Sequence, residues 1–251
     1  IRLSLVGSEM CIRDRVDVTL IGADKDFVFL PSLPWVIMGS RREADITLGV
    51  AGILEPRGIQ FIHETVNEVK PDEMKVCTEG NEYPYDYLVI STGSYLSCEE
   101  IPGLSPDKGY TYCTFTMEHA LKSQEAWNRL LEEPGPIVLG STQLASCFGP
   151  YYELAFEMDY ELRKRKIRHK VPITYLTSEP YLGHMGVGGL GKSRRFLEDE
   201  FAELDIKTIT NQSIDEVTPD EIRLAGGGTV PFKLAMLAPP FKGVAGVASL
   251  G

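Results

Sequence analysis

The sequence predicts an α/β fold assembled from parts of two doubly wound layers, and three observations predict it. From residue 136 onward β-rich runs alternate with helical ones: strand Ile137–Leu139, a helix from about Pro150 to Lys166, strand Ile173–Leu176, a helix to Leu204, strand Ile206–Ile209. Such alternation implies parallel strands joined by right-handed helical crossovers. Upstream, Tyr87–Ile90 (YLVI) is a continuous apolar run of the kind buried in a parallel sheet. Between the two regions, a 3.6-residue pattern over Met117–Glu133 predicts a helix, and Pro134-Gly135-Pro136 ends it.

The remaining elements follow in order. Asp17–Ile21 (DVTLI) reads as a strand running into the loop GADKDF. FVFLPSLPWV, residues 27–36, is apolar but carries two prolines, which predicts a packed loop or a broken helix start. Residues 60–62 and Val66–Val69 read as short strands. Residues 74–78 and 82–85 suggest a small meander around a Glu79-Gly80-Asn81 turn. Ser91-Thr92-Gly93 closes the YLVI run with small residues that let the backbone approach something closely. A Gly-rich loop spans 183–191. Residues 1–15 (IRLSLVGSEMCIRDR) show neither alternation nor a helical face and look like translated adapter sequence, so they are expected to lie outside the fold, Cys11 with them. The ending GVAGVASLG lacks a closing element, and the chain is read as a middle piece.

Composition limits the function classes. The chain has 251 residues, 43% hydrophobic and 24% charged, enough to bury a substantial core. A formal net charge of −11 argues against a nucleic-acid partner, since phosphate contacts need clustered cations. The one basic run, Arg163-Lys164-Arg165-Lys166 with Arg168, reads as the solvated C-terminal end of a helix. Five cysteines without CxxC or zinc-type spacing give no support to a metal site. No apolar run reaches the ~18–20 residues of a membrane span, and this piece is expected to be soluble.

The turn after strand Ile137–Leu139 is the chemically informative stretch. In a dinucleotide-binding turn, GxGxxG lets a pyrophosphate approach the backbone at a helix N-terminus. Here the turn is Gly140-Ser141-Thr142-Gln143-Leu144-Ala145, and Thr142 obstructs the second glycine position. Glu179, after the next strand, leaves a degenerate NAD site open. Downstream comes Ser146-Cys147-Phe148-Gly149-Pro150-Tyr151-Tyr152-Glu153. Pro150 suits a first helical turn and puts Cys147 at or just before the N-terminus. Partial positive charge there lowers a thiol pKa and favours the reactive thiolate. Glu153, one turn in, is positioned to exchange protons. An inert buried cysteine is the equal alternative on these residues alone.

LASCFGPYYE, TSEPYLGHMGVGGLG, PYDYLVISTG, FLPSLPW and PFKLAMLAPPFKGV together resemble the sulfide:quinone oxidoreductase family, in the family's order and nearly continuously over residues 17–251. The resemblance implies two Rossmann-like (doubly wound) domains of the FAD/NAD(P)-binding type, both incomplete or modified. It divides the chain into 16–105, a partial FAD-binding domain; 106–135, a connecting segment with a helix; 136–230, a second, NAD-like domain; and 231–251, a truncated return toward the first. It implies an FAD enzyme that oxidises sulfide at a cysteine pair and reduces a membrane quinone. The complete protein would be peripheral on a prokaryotic inner membrane, held by C-terminal elements not in this sequence, and homo-oligomers are allowed. By the resemblance, Cys147 is a redox cysteine, Glu153 a proton-handling glutamate and His184 a functional histidine. Thr92 and Gly93 match a flavin-contacting strand end, Val66 meets the adenine through its backbone, and the loop at Gly22 and Asp24 meets the ribose. His119 matches the histidine of a DHAE-like segment, but relatives place a cysteine four residues before it, whereas Phe115 stands there and Cys113 lies six before. Cys113 is the expected partner if the loop absorbs the shift. The family's N-terminal GxGxxG is missing, so this piece is expected to hold FAD weakly or not at all. Rival readings are the flavin subunit of a flavocytochrome c sulfide dehydrogenase, a type II NADH dehydrogenase-like enzyme, and an inactive flavoprotein remnant acting as a binding module.

Overall fold

A computed structural model describes residues 16–244, so the expectations for residues 1–15 and for the last residues lie outside the described part. The chain divides into two compact units. The first comprises residues up to Val28, Ile46–Gly93 and the end from Gly243; the second comprises Phe29–Asp45 and Ser94–Lys242.

In the first unit, β1 (Thr19–Gly22) pairs in parallel with β4 (Gln60–His63), Gly22 opposite His63. β2 (Asp26–Val28) pairs antiparallel with β3 (Thr47–Gly49). β5 (Val66–Lys70), β6 (Lys75–Thr78) and β7 (Glu82–Pro84) form the expected antiparallel meander, its turn closed by Thr78 N–H donating to the Asn81 carbonyl. The expected strand at Tyr87–Ile90 is not formed. Tyr87 is 92% and Val89 87% exposed, and among the described residues no strand pairs with this run. An apolar run becomes a parallel strand only when neighbours take up its backbone hydrogen bonds.

The second unit holds the doubly wound sheet. Its four strands run in parallel in the order β11 (Ile206–Ile209), β10 (Ile173–Thr177), β9 (Ile137–Ser141), β15 (Leu234–Ala238). The central strand β9 and the edge strand β15 are both buried at every position, as strands covered on both faces of a sheet are. β15 extends this sheet past residue 230, so residues 234–238 belong here rather than to a return segment. A Leu-Ala-Met-Leu-Ala run buries fully only beside an already covered strand. β8 (Ser94–Leu96) pairs with β16 (Phe241–Gly243).

One sheet face is covered by the antiparallel meander β12 (Ile214–Val217), β13 (Glu221–Leu224) and β14 (Thr229–Pro231), none of which the sequence reading foresaw. Ile214, Val217, Ile222 and Val230 pack there with Val138, Leu176, Ala235 and Leu237. On the opposite face Tyr175 stacks on Tyr152 with centroids 4.5 Å apart and meets Phe201 edge-on at 5.3 Å. Those partners come from α3 (Gly149–Lys164) and α4 (Ser193–Glu203). α1 (Leu33–Ile37), the helix start anticipated from the two prolines, packs on α2 (Met117–Glu132). Four cations of the basic run at the end of α3 pair locally with two carboxylates. Arg163 and Arg168 both pair with the buried Asp159 at 2.6 Å, and Lys164 and Arg165 pair with Glu161.

Candidate functional site

The strongest concentration of sulfur and titratable chemistry in the second unit is built from three local devices. The first is Tyr112, which bridges in parallel to β15: its N–H donates to Ala235 O at 2.8 Å, and its carbonyl accepts from Leu237 N at 2.9 Å. This fixes Cys113 beside the sheet, and Ser123 of α2 donates to the Cys113 carbonyl at 2.9 Å. The second is the N-terminus of α2. Thr116 caps it by accepting from His119 N–H at 3.1 Å, and that cap turns the imidazole so that Nδ1 lies 3.2 Å from Cys113 Sγ. Cys113 thus meets His119 from six residues before it in the chain. Asp107 approaches His119 Nε2 at 3.5 Å and also pairs with Lys122. Cys113 is 2% exposed, and burial pushes its thiol up to about 12.

The third device is the turn from β9 into α3. Gly140 has φ +141°, and a Cβ there would lie 1.8 Å from the Leu176 carbonyl, so only glycine fits. Cys147 is exposed just ahead of α3, whose first turn contains Pro150. The expected lowering of its thiol pKa is not what the surroundings produce: burial of the sulfur pushes it up, because partial desolvation disfavours the thiolate. Cys77, Cys98, Cys113 and Cys147 are all free thiols. Glu153, on the next turn of α3, is half-buried and accepts from Trp35 Nε1 at 2.8 Å. Beyond it, Glu157 is pushed up to about 7, first by burial and then by the Glu153 charge. His184 sits half-buried in the Gly-rich loop, its ring edge-on to Tyr181 at 5.2 Å.

A pyridine nucleotide does not fit the second unit. Thr142 is wholly buried; its N–H and Oγ1 both donate to Ala238 O at 2.9 Å. Gln143 clasps the backbone of Ile214 through both amide atoms, and Ser141 Oγ lies 2.7 Å from Thr177 Oγ1. Glu179 is equally committed, accepting from Tyr152 Oη at 2.8 Å, Thr177 Oγ1 at 2.9 Å and Met185 N at 2.7 Å. The polar groups that would bind phosphate and ribose hold the protein together instead.

In the first unit, β1 and β4 end together at Gly22 and His63, the carboxyl end where nucleotides bind in such folds. His63 Nε2 and the Ala23 carbonyl, 2.8 Å apart, shape the following loop, where Asp24 stands exposed. Val66 opens β5 half-buried. Thr92 and Gly93 are exposed, and Gly93 has φ +68° with no atom within 4 Å of where a Cβ would be. Asp24 thus presents an exposed carboxylate, a group that accepts from sugar hydroxyls, just past the end of β1. Tyr151, Thr114, Trp35, Asp107 and Glu157 were not singled out in the sequence, because each is an ordinary residue type that only packing brings to the cysteines or to Glu153. Among the described residues no cluster with metal-binding composition occurs.

The family model for pyridine nucleotide-disulphide oxidoreductases matches residues 9–238. The sulfide-quinone reductase of Aquifex aeolicus is 43% identical over 239 residues, covering 93% of this chain and 55% of that protein. The mitochondrial sulfide:quinone oxidoreductase of Mus musculus is 27% identical over 222 residues. The X-ray structure of the Aquifex aeolicus sulfide:quinone oxidoreductase superposes with a TM-score of 0.89 at 42% identity, covering 97% of this chain and 57% of that one. The structure of NDH2 from Plasmodium falciparum in complex with NADH superposes with a TM-score of 0.71 at 20% identity, a likeness of fold alone. The chain spans about half the length of these relatives.

Proposed function

The chain belongs to the pyridine nucleotide-disulphide oxidoreductase family, and from that premise we propose that it is part of an FAD-dependent enzyme that oxidises sulfide through Cys113 and Cys147 and delivers the electrons to a membrane quinone. The observation that carries the reading is the buried Cys113–His119 contact at 3.2 Å, in the same unit as the exposed Cys147. The likeness to the Aquifex aeolicus sulfide-quinone reductase supports the same chemistry.

Hydrosulfide attacking a sulfur bridge between the two cysteines breaks one S–S bond and forms another, leaving a persulfide on one and a thiolate on the other. FAD, when bound, would supply the acceptor for the two electrons released, with one proton, when that thiolate and persulfide re-form a sulfur bridge, and quinone would be their final acceptor. His119 takes up or returns the Cys113 proton, with Asp107 behind it orienting the ring. Glu153, held by Trp35, and Glu157 handle the protons at the N-terminal end of α3. His184 serves from the Gly-rich loop. Gly22, Asp24 and Val66 hold the adenosine end, and Thr92 and Gly93 meet the flavin. Among the described residues no helix is long and apolar enough to cross a membrane; the complete enzyme binds a prokaryotic inner membrane peripherally, through parts outside this chain.

The test is sulfide-dependent flavin reduction in the full-length enzyme under anaerobic conditions. Cys147→Ser and Cys113→Ser are each expected to abolish it. Wild-type rates in Cys147→Ser would refute the mechanism, and wild-type rates in Cys113→Ser alone would assign the partner role to another cysteine. Flavin reduction by NADH in place of sulfide would favour the dehydrogenase reading, against the closed turn at Thr142.

A further inference from the structure

Glu179 is 3% exposed and lies just past the end of β10, where a dinucleotide fold carries the acidic residue that binds ribose. Its carboxylate reaches into the Gly-rich loop instead. Oε1 accepts from the Met185 N–H at 2.7 Å, and Oε2 accepts from Tyr152 Oη at 2.8 Å. The same Tyr152 hydroxyl accepts from the buried Gly183 N–H at 2.8 Å. The two amides that flank His184 in the chain are thus tied to one Tyr152–Glu179 pair. The His184 carbonyl in turn accepts from the Val187 and Gly189 N–H groups at 3.1 and 2.8 Å, so the loop folds back around the histidine. Met185 takes φ +54°, a left-handed conformation that needs support from its surroundings, and the bond from its own N–H to Glu179 supplies that support. Tyr152 belongs to α3, and a Cβ on Gly186 would lie 3.4 Å from the ring of Phe148, the residue after Cys147. The loop therefore rests on the start of the helix that follows the exposed thiol.

We propose that Glu179 is a positioning residue for His184: with Tyr152 it clasps the backbone on either side of the histidine and fixes the imidazole relative to α3 and Cys147. Five of the nine residues from 183 to 191 are glycines. Left to itself such a loop spreads over many backbone conformations, and holding one of them needs an anchor from outside the loop. An imidazole acts on a reacting group only from a held distance, so the anchor sets how often His184 is in place. With the backbone held, the ring stands edge-on to Tyr181 at 5.2 Å. A side chain placed to bind a ribose thus serves the loop that carries the histidine. The inference deepens the sulfide-oxidation reading and rests on His184 acting in it.

Two measurements on the full-length enzyme test it. Amide hydrogen exchange over residues 181–191, read by mass spectrometry, is compared in the wild type, Glu179→Ala and Tyr152→Phe. Each variant is expected to exchange there about tenfold faster, the effect of one lost hydrogen bond to a charged or buried group on local opening, with β9 amides unchanged. Unchanged loop exchange in both variants overturns the clasp, and so does a rise spread equally over β9, which marks a merely structural role. Sulfide-dependent flavin reduction is then followed anaerobically in Glu179→Ala, His184→Ala and the double variant. Glu179→Ala is expected to slow it, and the double variant to be no slower than His184→Ala, because nothing remains to be positioned. Losses that add in full overturn the positioning role. If Glu179→Ala does not fold, Tyr152→Phe takes its place in both measurements. Wild-type rates in His184→Ala would remove the histidine from the reaction and the positioning role with it. Absence of sulfide-dependent reduction in the wild type would remove the enzymatic reading instead, while the exchange data still decide the clasp.

Discussion

Tyr152→Phe deletes one oxygen and, with it, two buried hydrogen bonds. The Tyr152 hydroxyl donates to Glu179 Oε2 at 2.8 Å and accepts from Gly183 N–H at 2.8 Å. After the change Glu179 keeps Thr177 Oγ1 and Met185 N as donors, so the carboxylate is weakened rather than abandoned. The Gly183 N–H, buried at the entrance to the Gly-rich loop, loses its acceptor outright. A hydrogen bond to a carboxylate contributes ~1.5–3 kcal/mol and an orphaned buried N–H costs ~1–3 kcal/mol, and because Glu179 keeps two other donors the expected loss lies near the low end of the sum, about 3 kcal/mol. The ring survives, so the 4.5 Å stack on Tyr175 is unchanged and packing adds nothing to the estimate. Tyr175→Phe is the matched control. It removes an oxygen of the same size from the same stack, but one that completes no hydrogen bond, so its expected effect lies within about 1 kcal/mol of zero, on the stabilising side. Both tryptophans, Trp35 and Trp127, belong to the second unit, so fluorescence in a urea titration follows that unit alone. A loss near 3 kcal/mol shifts the midpoint by ~1 M at a slope of ~3 kcal/mol/M. Equal midpoints for the two variants, or a Tyr152→Phe loss below about 1 kcal/mol, would refute the hydrogen-bond accounting.

Other expectations follow from the same geometry. Asp159→Ala leaves Arg168, whose side chain is 12% exposed, without its carboxylate, and a loss of ~3–5 kcal/mol by denaturant titration is expected. Glu157 holds its proton in the folded state up to about 7 against an ordinary 4.5, so the unfolded chain binds fewer protons between those values and stability falls as pH rises through them. Glu157→Gln should flatten that slope, by on the order of 1 kcal/mol after solvent screening of the half-exposed carboxylate; parallel pH profiles of the midpoint would contradict this. Thr116→Ala removes the α2 cap and should cost ~1 kcal/mol and loosen His119, seen as faster exchange of its amide. In the full-length enzyme, flavin bleaching by NADH should lag well behind bleaching by sulfide in anaerobic mixing, and equal rates would mean that the turn at Thr142 opens.

The doubly wound unit was legible in the sequence because its signals are local. Strand β11 begins and ends where the β-rich run Ile206–Ile209 does, α2 stops one residue short of the expected Glu133, and Pro150 marks the start of α3. The meander β12–β14 was not legible: Ile214–Val217 and Glu221–Leu224 are short, mixed-polarity strands whose stability comes from lying on the sheet. YLVI failed for the converse reason, since its apolar run describes a buried strand and no described neighbour buries it. The candidate site divides the same way. Cys147, Glu153 and His184 were reachable from motif and resemblance, and the offset at Cys113 was visible as a mismatch with no means of judging it.

The sequence by itself determined the alternation that makes the second unit parallel α/β, the blocked dinucleotide turn at Thr142 and the position of Cys147 ahead of a helix. These rest on periodicity, on one side chain's volume and on one proline, all properties of a few adjacent residues. The tertiary structure alone decided that Cys113 meets His119, that Glu179 is satisfied from within, that burial raises rather than lowers the Cys113 and Cys147 thiols, and that β15 completes the sheet. Each of these depends on what residues distant in the chain bring to a shared, water-poor space, where desolvation and unpaired hydrogen bonds outweigh local preference.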